Sequence, residues 1–169
     1  AIPDNAILTV GPLQVTGTAG FALTMLTVDA DTDGNGTADL MGATLTGLAL
    51  DVSGAGVSIE DVAALQVSGR LGIATLAPAD VLDTRSWFGL KMGEVTVSGG
   101  LDPSLGSQLS ATITIGALDY NSATNPTNPT AAKRLDWGRA FDLDGDGAFD
   151  DALNPGAGLP TPAELTIDF

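Results

Sequence analysis

The sequence predicts an all-β domain with metal-clamped connections, and three observations carry that prediction. Val, Ile, Leu and Thr dominate the regular stretches while Glu occurs only three times, a bias toward strand and away from helix. No window of eleven or more residues holds apolar positions at i, i+3 and i+4; the nearest approach, Ser58 to Gln66, suffices for one helical turn. Finally, one nine-residue acidic loop occurs twice, as Asp31-Thr-Asp-Gly-Asn-Gly-Thr-Ala-Asp39 and Asp142-Leu-Asp-Gly-Asp-Gly-Ala-Phe-Asp150.

In chain order, alternation and β-branched content predict strands at 6–17, 20–29, 38–53, 56–68, 70–77, 86–98, 108–120 and 163–169. Turn signals separate them: Gly54-Ala-Gly56, Ala77-Pro-Ala-Asp80, Gly99-Gly100 and Asp102-Pro103. Leu40-Met-Gly-Ala-Thr-Leu-Thr-Gly-Leu-Ala-Leu50 is Ala/Gly/Thr-rich on one face and Leu-rich on the other. Small residues on a strand face let a backbone or a second sheet approach closely. Leu13-Gln-Val-Thr-Gly17, Leu65-Gln-Val-Ser-Gly69 and Val95-Thr-Val-Ser-Gly99 resemble one another; they read either as stacked units or as a common strand exit. Two architectures fit, a stacked β-coil of solenoid type or an antiparallel β-sandwich. The chain reads as one domain or repeat unit over 1–169, with 121–162 a polar, Pro-bearing excursion that has little core of its own. Trp87 and Trp137 sit in apolar patterns and are expected in the core.

Both acidic loops follow D-x-D-G-[N/D]-G-x-x-D. Oxygen-bearing side chains fall at positions 1, 3, 5 and 9, with glycine at 4 and 6. Calcium takes about six to eight oxygens, so a loop must curl several carboxylates around one point. The expected ligands are Asp31, Asp33, Asn35, Asp39 and the carbonyl of Thr37 in the first loop. In the second they are Asp142, Asp144, Asp146, Asp150 and the carbonyl of Ala148. Two calcium ions are expected. Asp29 and Asp151 adjoin the loops and add either an oxygen or only charge. The spacing is similar to EF-hand, dockerin and integrin-propeller loops. It departs from the EF-hand in lacking Glu at position 12, where Leu153 stands in the second loop, and in its strand-like flanks.

Composition excludes several functions. With 21 acids against 6 bases the net charge is −15; binding to nucleic acid needs clustered bases, and an anionic membrane surface is disfavoured on the same ground. Lys91, Lys133, Arg134 and Arg139 either face the acidic loops or stay solvated. No apolar run is long enough to span a membrane as a helix. The opening residues carry no leader-like segment, so a mature or internal segment is expected. With no His and no Cys, Ser-His and Cys-His nucleophiles are absent. A carboxylate pair is the remaining catalytic route, from Asp51, Glu60, Asp61, Asp83, Glu94, Asp119, Asp136 or Glu164. Most of these read as turn or solvent-face positions, and the chain is not expected to be an enzyme.

Leu65-Gln-Val-Ser-Gly-Arg-Leu-Gly-Ile73 and Ser86-Trp-Phe-Gly-Leu-Lys-Met-Gly-Glu-Val-Thr-Val-Ser-Gly99, with Leu118-Asp-Tyr-Asn121, Leu135-Asp-Trp137 and Leu165-Thr-Ile-Asp-Phe169, carry a resemblance. They resemble tandem β-rich, Cys-free, calcium-bearing repeats of giant bacterial surface or adhesin-like proteins. The likeness covers most of the chain through short, degenerate motifs. It implies an extracellular, cell-surface structural or adhesive role and transfers no catalytic residue. Strand-like segments at both ends suit a repeat, or a filament subunit joined to copies of itself through terminal strands. The alternative is a calcium-containing, carbohydrate-binding β-sandwich that meets a surface glycan. Aromatics at only 5% favour the structural role.

Overall fold

The computed structural model describes residues 6–10, 13–59, 63–101, 109–128 and 133–169. Within them the chain is all-β, and eight strands form one antiparallel sheet. Strands β1 (Ala6–Val10), β2 (Leu13–Ala30), β3 (Leu40–Ile59) and β4 (Ala63–Ala77) are consecutive antiparallel neighbours. The sheet then forks. Residues Leu71–Leu76 of β4 pair with β5 (Ser86–Met92), which pairs with β8 (Leu118–Thr124). Residues Ala63–Ser68 pair instead with β6 (Val95–Leu101), which pairs with β7 (Ser110–Ile115).

Several expected boundaries move. No break falls at 17–20 or at 68–70: β2 and β4 run through, because their alternation continues across the glycines. Gly54-Ala-Gly56 is a bulge inside β3, with Gly54 at φ 61°, rather than a turn. The stretch 86–98 divides at Gly93-Glu94, where the fork opens and the Gly93 N–H donates to the Arg70 carbonyl at 3.0 Å. The stretch 108–120 likewise divides into β7 and β8. Ser58, Ile59 and 63–66 are strand rather than a helical turn. Glu60, Asp61, Asp102 and Pro103 lie outside the described residues, as do 129–132 of the polar loop.

The loop-bearing half of the sheet is clad on one face by residues 133–169. This cover is held by isolated bridges at Ala30↔Phe141, Phe141↔Asp151 and Leu153↔Ile167 and one 3-10 turn at Pro155–Gly158. The strand expected over 163–169 is therefore not one. Its alternation is present, with Leu165 and Ile167 buried, but it lies across a sheet face, where side chains rather than a backbone ladder make the contact.

The face beneath is built of small residues. Gly47, Ala74 and Gly89 are register partners in one row across three strands, and Ala49 pairs with Gly72 in the next. A Cβ on Gly89 would stand 2.9 Å from Ile167 and 3.0 Å from Trp137; one on Gly72 would stand 3.1 Å from Leu165. The missing side chains are the space the cover occupies, as the strand composition suggests. The core is the product: Leu45, Leu76 and Trp87 from the sheet, Leu135, Trp137, Phe141, Leu153 and Ile167 from the cover. Both tryptophans are buried, as expected, and both indoles donate: Trp87 Nε1 to the Lys133 carbonyl and Trp137 Nε1 to Asn121 Oδ1.

Candidate metal centres

Loop 31–39 joins β2 to β3, and its neck is closed by the Asp39 N–H donating to the Ala30 carbonyl at 3.0 Å. Asp31 is only 4% exposed. Its carboxylate accepts from the N–H groups of Asp33 (3.3 Å), Gly34 (2.7 Å), Asn35 (3.2 Å) and Gly36 (2.6 Å). Asp33 Oδ1 accepts from Asn35 N–H, and Asn35 Oδ1 from Thr37 N–H. The odd positions thus fold back along the loop, as Asp and Asn do in turns. Asp39 closes the ring, accepting from the Thr32 N–H at 2.5 Å and the Thr32 hydroxyl at 2.7 Å. This wrapping requires Gly34 and Gly36 at φ 79° and 82°, which other residues adopt only with strain.

Loop 142–151 repeats the wiring. Asp142 accepts from Gly145 N–H (2.7 Å) and Gly147 N–H (3.0 Å), Asp144 from Asp146 N–H and Asp146 from Ala148 N–H. Gly145 and Gly147 stand at φ 80° and 91°. The closing residue differs. Asp151, not Asp150, accepts from the N–H groups of Leu143 (2.6 Å) and Asp144 (2.9 Å). The reason is the neck: the Asp151 N–H donates to the Phe141 carbonyl, whereas the Asp39 N–H donates to Ala30. The second loop spends one more residue before its neck closes, so the equivalent of Asp39 falls on the second Asp of the pair.

Two acidic clusters result. Carboxylate oxygens of Asp31, Asp33 and Asp39 lie within 4.8 Å of one another, as do those of Asp142, Asp144 and Asp151. Each cluster could hold a metal ion, and an all-oxygen donor set suits a hard cation. Asn35 and Asp146 stand at the fifth position of each wrap, and the N–H groups of Thr37 and Ala148 donate the same bond to them. The structure does not bring Asp150 into its cluster. It gives Asp29 another task, accepting from the Gly42 N–H at 2.7 Å.

Burial raises the Asp31 carboxyl, but its four backbone N–H donors outweigh that and hold it below the ordinary carboxylate value. The basic residue beside the first loop is Arg85, which sequence reasoning missed. Its guanidinium grips Asp83 (Nε 3.0 Å, Nη2 2.7 Å), lies 5.3 Å over the Trp87 ring and reaches 4.0 Å from Asp39. That side-chain hydrogen bond lowers the Asp83 carboxyl below its ordinary value and raises the Arg85 guanidinium. The Asp83-Thr-Arg85 spacing beside a Trp was the available signal. Lys133 joins Arg85, Asp33 and Asp39 around a cavity of about 150 Å³, while Lys91 pairs with Asp168 instead.

The two loops hang side by side. Ala30 bridges Phe141, and the Asp31 N–H donates to the Ala140 carbonyl at 3.0 Å. Of the other acids weighed as catalytic, Asp51 pairs with Arg70 at 3.1 Å, Asp136 accepts from the Gly138 N–H, and Glu164 accepts from Asn154 and Thr166. Among the described residues no helix is long and apolar enough to cross a membrane. No protein-family model, no curated protein and no solved structure matches this chain.

Proposed function

We propose that the chain is a calcium-stabilised structural unit of an extracellular bacterial surface assembly. The observation that carries the reading is the pair of equivalently wired acidic cradles set on one bridge, one in the sheet and one in its cover. Asp31, Asp33, Asn35, Asp39 and the Thr37 carbonyl would hold one ion; Asp142, Asp144, Asp146, Asp151 and the Ala148 carbonyl the other, with Asp150 adjacent. A bound calcium ion supplies two positive charges among carboxylates that otherwise repel one another. The backbone N–H groups donating to Asp31 and Asp142 pre-set these carboxylates, and the bridge makes the fit of one loop a condition for the other. Stability then follows calcium concentration. Extracellular calcium and the absence of Cys support the location.

The sandwich side of the expected architecture is favoured, since every strand pairing is antiparallel. β1 lies at one edge of the sheet and β7 and β8 at others, which supports joining of copies by strand addition at an edge. A glycan-binding role gains less, because both tryptophans are buried.

Thermal unfolding in millimolar calcium and in excess EDTA tests the reading. A melting temperature raised by calcium is expected. Asp33→Ala and Asp144→Ala should lose that rise while melting like the unaltered chain in EDTA, and Asp151→Asn should lose more of it than Asp150→Asn. No calcium effect, or equal losses in both conditions, would refute the metal role.

A further inference from the structure

The sheet has a second face, on which no described strand or helix packs; its central Leu48, Leu50, Leu71, Ile73, Leu90 and Met92 are half-buried by their neighbours in the sheet. Register places its side chains in rows. Leu23, Leu48, Ile73, Leu90 and Tyr120 are successive partners across β2, β3, β4, β5 and β8. Phe21, Leu50, Leu71, Met92 and Leu118 form the next row. Phe21, Leu23, Leu118 and Tyr120 are each at least half exposed, at 58%, 61%, 50% and 54%.

The pattern continues past the fork. Alternation along the unbroken β4 puts Leu65 and Val67 on the side of Leu71 and Ile73. Val67 pairs with Val97 and Val97 with Ile113, itself 64% exposed. In β3 the same phase survives only because of the bulge at Gly54, since one extra residue exchanges odd for even positions. Without it Ala55, the partner of Val67, would face the other way. The bulge keeps one apolar face continuous through both halves.

That face carries no charge among the described strand residues apart from Asp29 at its margin. Asp51, Arg70, Lys91 and Asp119 alternate to the other side, where Asp51 meets Arg70 and Lys91 meets Asp168. The two faces also differ in kind. The clad face sets a floor of Gly and Ala beside Leu45, Leu76 and Trp87, and an irregular backbone settles over it. The two central rows of the open face are made of Leu, Ile, Phe, Met and Tyr at matched registers, flanked by a row in which Met25 and Phe88 stand among Thr46, Thr75 and Ser122. Large apolar rows are the material that fills the space between two sheets about 10 Å apart. Its size suffices. Fifteen residues of β4 at about 3.4 Å each, and five strands at about 4.8 Å, give about 1,200 Å² of sheet face, against about 800 Å² per partner in a standard interface.

We infer that this chain associates with a second copy of itself through the open face, sheet against sheet, in a two-fold dimer. The partner must present a large, uncharged, apolar sheet face, and the surface of that description on this molecule is its own. A two-fold operator gives each copy the same patch. The contact involves neither acidic loop, so it stands or falls separately from the metal reading.

Size-exclusion chromatography with light scattering on the 169-residue chain, in calcium and again in EDTA, tests it. A mass about twice 16.9 kDa is expected in both. Leu48→Lys and Ile73→Lys, register partners at the centre of the face, should each raise the dissociation constant at least about 30-fold. Thr112→Lys, on the polar side of β7, should leave the dimer intact. If the central variants lose their far-UV spectrum, Leu23→Ser at the rim replaces them and should weaken the dimer measurably. A monomer at 100 µM would overturn the inference. So would a dimer that survives folded Leu48→Lys, which would place the contact at a sheet edge.

Discussion

β4 is one unbroken strand with two different fates along its length. Its second half lies beneath the cover and contributes Ala74 and Leu76 to the core; its first half contributes no residue to it. The backbone pairing is equivalent, a partner strand on each side in both halves. The difference lies in what rests on the sheet. Ladder hydrogen bonds exchange water for protein partners at modest net gain, whereas burial of apolar area drives folding. β6 is paired on both sides, with β4 and β7, as β5 is with β4 and β8, and yet none of its residues is buried. Pairing sets the shape of this sheet, and cladding decides where it is strong.

The comparison breaks most readily at Trp137. Trp137→Ala should cost about 3–5 kcal/mol in chemical denaturation, the range for large aromatics removed from a core. Thr112→Ala, on the same side of the sheet in the bare half, should stay within about 0.5 kcal/mol; comparable losses would show that the bare half is as cooperative as the clad one. A finer probe adds a methyl group. Gly89→Ala drives a Cβ against Ile167 and Trp137 and should cost about 1–3 kcal/mol, while Gly116→Ala, with nothing within 4 Å, should change the denaturation midpoint little. Smallest is the acid response. Arg85 holds the Asp83 carboxyl below its ordinary value, so the pair stabilises fully above that value, near 4, and its contribution fades as pH falls through the lowered one. Asp83→Asn should remove about 0.5 kcal/mol at pH 7, the scale of a partly exposed pair, and progressively less as pH falls through the lowered Asp83 value.

Much of this was legible in the sequence because it depends on local chemistry. Strand composition gave the all-β class, glycines at loop positions 4 and 6 gave the wrapping, and the Gly/Ala face of Leu40–Leu50 announced a close approach. What failed depended on partners. Gly54-Ala-Gly56 has turn composition, and only the neighbouring strands make it a bulge. The end segment 163–169 alternates as a strand should, yet nothing in it says whether it meets an edge or a face. The fork at Gly93 follows from β4 outrunning β5. Asp150 and Asp151 are chemically identical, and which of them closes the hydrogen-bonded ring follows from which N–H reaches the Phe141 carbonyl.

The bridge between Ala30 and Phe141 has a consequence in time. β1 to β5 are laid down as hairpins between sequence neighbours, which form early because little chain entropy is spent closing them. The cover joins residues more than a hundred positions apart, a contact that has to wait for the sheet it lands on. Until it arrives, the Gly/Ala floor is exposed as well as the apolar face opposite. On this ordering, docking of 133–169 is expected to be the late step, with both sides of the longest strands open until it occurs; burial of Trp137 in step with the far-UV signal during refolding would contradict it.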